Sequence, residues 1–111
     1  EANILRLPGQ LYELKENNII SNVYTYKVIN KTIKDIQDVN YKILSHTGKI
    51  KLVSNHNFII PKQSLAEGTL FIELNTSAIK KDKIKLEIGV FSGTRLIETT
   101  FTNFLGPRSY R

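Results

Sequence analysis

Polar and apolar residues alternate along most of this chain, most regularly where Tyr24, Tyr26 and Val28 fall on one side and Thr25 and Lys27 on the other. A period of two is the mark of a strand with one buried and one wet face. The same pattern predicts strands over residues 11–14, 19–30, 39–45 and 49–54, a short run over 58–60, a strand carrying Leu70, Ile72 and Leu74, and strands over 83–91 and 96–104. The expected inward positions are Val39, Tyr41 and Ile43, then Ile50 and Leu52, then Ile84, Leu86, Ile88 and Val90. In the last strand they are Ile97, Thr99 and Phe101 or their neighbours. Pro61 ends the short run, and because proline cannot donate to a ladder, that run belongs at a sheet edge or at a crossing between sheets. Polar clusters separate the strands, with Ile33, Ile36 and Ile79 available to anchor the longer connections.

No segment has a helical period, so strands at this spacing predict an all-β domain, an immunoglobulin-like antiparallel β-sandwich of about seven strands. A small closed barrel has the same strand count and alternation and is the structural alternative. The expected organisation is a leader or linker over residues 1–10, the sandwich over 11–107 and a tail over 108–111, where Arg108, Tyr110 and Arg111 read as a frayed end.

Length and composition narrow the picture. A chain of 111 residues is one domain large enough to fold on its own core. It contains no cysteine, which removes disulfides, thiolate metal sites and thiol nucleophiles. Methionine is absent even at position 1, so the chain reads as a segment of a longer protein, and no apolar stretch is long enough to cross a bilayer. The net charge of +6 raises the question of a nucleic-acid ligand. Its distribution argues against one: Lys27, Lys42, Lys51 and Lys85 alternate along strands, and the densest run, Lys80-Lys81-Asp82-Lys83, has no interleaved aromatic or arginine.

Candidate chemistry is sparse. His46 and His56 both sit in turn segments without a third ligand, and no serine lies in a nucleophile elbow. Glu73, Glu87 and Glu98 occupy strand positions expected to face water opposite lysines, which makes cross-strand charge pairs and not a glycosidase dyad. Asn30-Lys31-Thr32 and Asn75-Thr76-Ser77 match the glycosylation sequon, but corner and loop roles explain both. The expected site inventory is therefore empty: no catalytic residue, no cofactor-binding residue, no metal ligand, and no enzymatic activity in this stretch.

Several segments together resemble a known family. Leu11-Tyr12, the run Asn22-x-Tyr24-Thr25-x-Lys27-Val28-x-Asn30-Lys31-Thr32, the Ile60-Pro61 step and the closing Phe104-Leu105-Gly106-Pro107 are similar to the C-terminal immunoglobulin-like domain of the FixG/CcoG membrane polyferredoxins. The chain departs from the family pattern at Pro61-Lys62-Gln63-Ser64, where a Pro-Ala-Gly-Glu-like turn is common, and at Tyr26, where an aliphatic residue is common. The resemblance implies a parent with membrane helices and a ferredoxin-type segment binding two 4Fe-4S clusters, all upstream of this domain. It further implies a part in assembly of cbb-type cytochrome oxidase through electron delivery for copper reduction, and a link to nitrogen-fixation gene clusters. On that reading this is a soluble, non-catalytic accessory module without a cofactor of its own, at the end of a bacterial inner-membrane protein on the periplasmic side. Its partner would be another protein or the parent's own membrane and ferredoxin portion. The alternative is a surface adhesion or carbohydrate-binding module of the same fold.

Overall fold

The computed structural model describes residues 1–54 and 58–107. Among them the chain forms β1 (Ala2–Arg6), β2 (Glu13–Lys15), β3 (Ile19–Asn30), β4 (Ile36–Ile43), β5 (Lys49–Leu52), β6 (Phe58–Ile60), β7 (Ser64–Asn75), β8 (Lys83–Ser92) and β9 (Arg95–Leu105). One sheet runs β1-β3-β7-β5 with β2 also on β3, and the other runs β6-β4-β8-β9; every strand pairing among the described residues is antiparallel. Two sheets face to face make the predicted sandwich. The alternation does what it predicts on β3, β4, β7 and β8, whose Ile20, Tyr24, Val28, Val39, Leu70, Ile72, Leu86 and Ile88 fill the space between the sheets.

The expected leader is corrected. Residues 2–6 are an integral strand, with Ala2 opposite Val28 and Arg6 opposite Tyr24, and Ala2 and Ile4 are buried in the core. Five residues give too short an alternation to be read as a strand without the partner that pairs it. The Pro8-Gly9 turn then breaks this edge: Gly9 takes φ +80°, and the Gln10 amide donates to the Leu7 carbonyl at 3.2 Å. β2 resumes pairing on the same side of β3 at residues 13–15, slightly later than expected, leaving Leu11 and Leu14 exposed. An interrupted edge is a poor template for another chain's strand.

Two bulges account for the other differences. β4 begins at Ile36, three residues earlier than expected, because its register with β6 shifts between Ile36 and Val39, with Asp38 in the left-handed region at φ 52°. In β9 the register shifts beside Ile97: Val90 pairs with Glu98, yet Phe91 pairs with Leu96. One extra residue inverts the alternation. Thr102 and Phe104 are therefore the buried neighbours, while Phe101 is turned outward. β7 also extends back to Ser64, six residues before Leu70, in a stretch where Gly68 leaves room for a ring: Tyr26 lies over it, and a Cβ there would stand 2.6 Å from the Tyr26 hydroxyl.

Tyr26 packs edge-on to Tyr41, with ring centroids 5.3 Å apart, and beside Phe58 at 5.8 Å. Burial raises the ionisation of Tyr24, Tyr26 and Tyr41 above the usual 10.0; the Arg6 charge only partly offsets this for Tyr24, and Tyr26 and Glu98 add to it for Tyr41. A phenol whose folded pKa lies above its unfolded value contributes stability that is fully present below pH 10 and is lost as pH rises toward the folded value. The free energy of unfolding is expected to be flat from pH 7 to 9 and to fall above pH 10, by about 1.4 kcal/mol per pH unit for each of Tyr24 and Tyr41. Phenolate absorbance from these rings should appear in one step with the loss of β-sheet circular dichroism. Ionisation of Tyr24 or Tyr41 below pH 11 in an intact fold would contradict the packing described here.

Candidate functional site

The strand carrying the family resemblance turns its polar residues into the scaffold. Asn22 lies inside the sandwich, where its amide oxygen accepts from the Leu105 N–H at 2.8 Å and its amide nitrogen donates to the Leu105 carbonyl at 3.0 Å. Two residues on, the Tyr24 hydroxyl donates to the Asn103 carbonyl at 2.7 Å. These contacts join β3 to β9 across the two sheets, where no ladder can run.

Asn30 does the equivalent at the far end of β3. It is 1% exposed, and its amide nitrogen faces the carbonyls of Lys34, Ile60 and Pro61 at 2.9, 3.0 and 3.1 Å. Its amide oxygen accepts from the Thr32 N–H at 2.9 Å and the Thr32 hydroxyl at 2.7 Å. The Thr32 hydroxyl in turn lies 2.8 Å from the Lys34 carbonyl, and the Asp35 carboxylate accepts from the Lys62 N–H at 2.9 Å. The short loop from 31 to 35 is thus held from inside, which leaves Asn30 no free amide for a glycan. Asn75, the other sequon residue, caps a single 3-10 turn by accepting from the Ser77 N–H at 2.9 Å.

Among its exposed polar residues this loop presents one apolar side chain. Ile33, one of the residues expected to anchor the connection, stands 79% exposed at its apex, while Ile36 packs against the core. Beside it opens a cleft of about 650 Å³ lined by Ile29, Ile36, Ile97, Lys31, Arg95 and Glu98 among others. The β3–β4 loop, the β6–β7 turn and the β8–β9 turn all lie at this end of the sandwich, as the pairings of Asn30 with Ser64, Ile36 with Ile60 and Val39 with Ser92 require. It corresponds to the end at which immunoglobulin variable domains carry their binding loops. The turns are braced as well: Asn40 donates to the Asp38 and Gly93 carbonyls, both at 3.0 Å, and Gly93 takes φ +62°.

The other sequence candidates stay apart. His46 Nδ1 lies 2.8 Å from the hydroxyl of its neighbour Ser45, while His56 and the tail residues Arg108, Tyr110 and Arg111 lie outside the described residues. Among the described residues no three metal-ligating side chains cluster. Glu73 is a correction: it does not face open water, its side chain being 10% exposed beneath Lys51, which pairs with it at 3.3 Å. The strand β2 and its turn, with Glu13, Lys15 and Glu16, frame the same spot. The turn itself holds consecutive left-handed residues, Asn17 and Asn18. Glu87 lies opposite Phe101, not opposite a lysine. The sequence reading missed Ile33 as a presented residue, because a lone isoleucine in a polar loop carries no periodicity that distinguishes anchor from apex.

No helix among the described residues is long and apolar enough to cross a membrane. Comparison with curated proteins and with solved structures gave no match. A family model described as "IG-like fold at C-terminal of FixG, putative oxidoreductase" matches residues 1–107, which takes in β1 together with every other strand. With two antiparallel sheets, the Asn22–Tyr24 stitch and the Asn30 corner in place, the chain belongs to the family of immunoglobulin-like domains found at the C-terminus of FixG.

Proposed function

We propose that the chain is a non-catalytic docking module of a FixG-type membrane iron-sulfur protein, on the periplasmic side, serving assembly of a cbb-type cytochrome oxidase. In this reading the electron transfer and copper reduction belong to the parent's upstream clusters, and this domain meets a protein partner. The observation that carries it is the internally braced loop holding Ile33 79% exposed beside the cleft at the loop end. A contact residue fixed before binding loses little conformational entropy on association, which is how small rigid anchors gain affinity. The family match supports the choice of parent.

The test is an Ile33→Asp exchange in the full-length parent, expressed in its own bacterium. Parent abundance and its iron-sulfur spectra should be unchanged, while assembled oxidase, read from its haem spectrum, falls by about tenfold, as loss of one interface anchor does. Unchanged oxidase after removal of the whole domain would sink the proposal. So would saturable micromolar binding of copper by the isolated chain, which would give the domain chemistry of its own.

A further inference from the structure

The outer face of the second sheet is apolar where alternation demands polar residues. Leu44 is 42%, Leu96 47% and Phe101 54% exposed, and Phe91 lies partly open between them. They form one patch because Gly89, on the same face, has no side chain: a Cβ there would meet Phe91 Cε1 at 2.7 Å, Leu96 Cδ1 at 3.0 Å and Leu44 Cδ1 at 3.2 Å. Phe101 lies on the same face opposite Glu87, the position next to Gly89 along that face of β8. The β9 bulge creates this arrangement, since without the extra residue Phe101 would point into the core.

The charges around the patch are cationic. The Lys42 ammonium sits 5.2 Å from the Phe91 ring centre and the Lys85 ammonium 4.5 Å from that of Phe101. Neither is paired with a carboxylate in the ion pairs among the described residues, and Glu87 is the one acid between them on β8. Rings and aliphatic side chains with ammonium groups lying over them suit an interface that is apolar beneath and anionic above. Two copies packed through this face would bring lysines against lysines.

We infer that the outer face of β4, β8 and β9 lies on the anionic surface of a lipid bilayer, with Phe101 and Leu96 entering the headgroup boundary and Lys42 and Lys85 meeting lipid phosphates. The inference rests on the membrane setting of the proposed function and deepens it by giving the module an orientation. Phe91 and Leu96 flank the β8–β9 turn, but none of Leu44, Phe91, Leu96 and Phe101 lines the loop-end cleft, so either reading can fail alone.

The chain contains no tryptophan, so Phe101→Trp supplies a single reporter on this face, and Ile33→Trp supplies one at the loop end. Each is titrated with 100 nm vesicles of phosphatidylcholine alone or with a third of the lipid as phosphatidylglycerol. The F101W emission should shift to the blue with the anionic vesicles only, and I33W emission should not move. Leu96→Ser in the F101W background, and separately Lys42→Glu with Lys85→Glu, should weaken partitioning by about tenfold or more, and added salt should weaken it further. These are outer-face exchanges, and circular dichroism checks that the sheet is retained. No F101W shift with either vesicle, a shift at I33W alone, or a lipid-free, concentration-dependent shift that signals pairing of two copies would each overturn the inference.

Discussion

Replacing Asn30 by aspartate is expected to unfold this domain more readily than any conservative surface exchange, by about 3–5 kcal/mol at pH 7. The substitution is nearly isosteric, so packing is not the cause. The acceptor half of the side chain survives, because a carboxylate oxygen still receives the Thr32 N–H and hydroxyl. The donor half is inverted: where the amide nitrogen met the carbonyls of Lys34, Ile60 and Pro61, a second carboxylate oxygen would face three acceptors in a site that is 1% exposed. Burying a charge without a partner costs several kcal/mol, and the three carbonyls lose their donor as well. At roughly 4–8 °C per kcal/mol for a domain of this size, the melting temperature should drop by about 12 °C or more.

A pH series separates this account from a packing defect. The introduced carboxyl would have a folded pKa above its unfolded value, so the protonated form is favoured in the fold and the deficit relative to the natural chain shrinks as pH falls through that folded value. Melts at pH 7 and pH 4.5, each compared with the natural sequence, should show the gap narrowing. A gap of under 1 kcal/mol at pH 7, or one that does not change with pH, would mean that Asn30 is not the hub described here. Loss of this corner also frees the 31–35 loop, which links the stability of the fold to the presentation of Ile33.

How much of this was readable beforehand depends on the range of the interaction that decides each feature. Strand β3 was legible to the residue because its pattern is local: Tyr24, Tyr26 and Val28 alternate with Thr25 and Lys27 whatever they pair with. Pro61 narrowed β6 to a sheet edge or a crossing between sheets for an equally local reason, the missing donor, and β6 takes the edge. The strand at residues 2–6 was not legible, since Ala2 and Ile4 become core residues only when β3 is beside them. The direction of Phe101 was undecided for a subtler reason. Two registers of β9 fit the residues equally well, and the choice between them is made by a bulge that depends on pairing with β8. The polar motif residues carried family information without revealing their task. Asn30 reads as a corner position and Asn22 only as part of the motif, whereas each is buried against backbone groups that are distant in sequence. The proposed contact surfaces were hidden for the same reason: Ile33 and Phe101 are apolar residues whose exposure is set by partners elsewhere in the fold.

Asn22 makes the second large effect. Its exchange for leucine keeps side-chain bulk and adds apolar surface, which on a hydrophobicity argument alone should stabilise a buried site. The opposite is expected, a loss of about 2–4 kcal/mol, because the Leu105 N–H and carbonyl would both be left without the partners now at 2.8 and 3.0 Å, in a site where Asn22 is 2% exposed. Leu105 ends β9, next to the Gly106 N–H that donates to the Asp82 carbonyl at 3.0 Å, so the damage should spread to the β8–β9 margin rather than to the loop end. Amide hydrogen exchange reads this directly: Leu105 and Gly106 should lose protection by far more than Val28 or Ile60. Asn22 and Asn30 lie eight residues apart on one strand, on the order of 26 Å, and share no partner, so the double variant should show the sum of the single losses within about 0.5 kcal/mol. Tyr24→Phe shares the stitch to β9 and should not add in this way, because once Asn22 has let go, the Tyr24 hydroxyl at 2.7 Å from the Asn103 carbonyl holds a margin already free to move. Full additivity between Asn22→Leu and Tyr24→Phe would show the two contacts to be independent bonds and not one seam between the sheets.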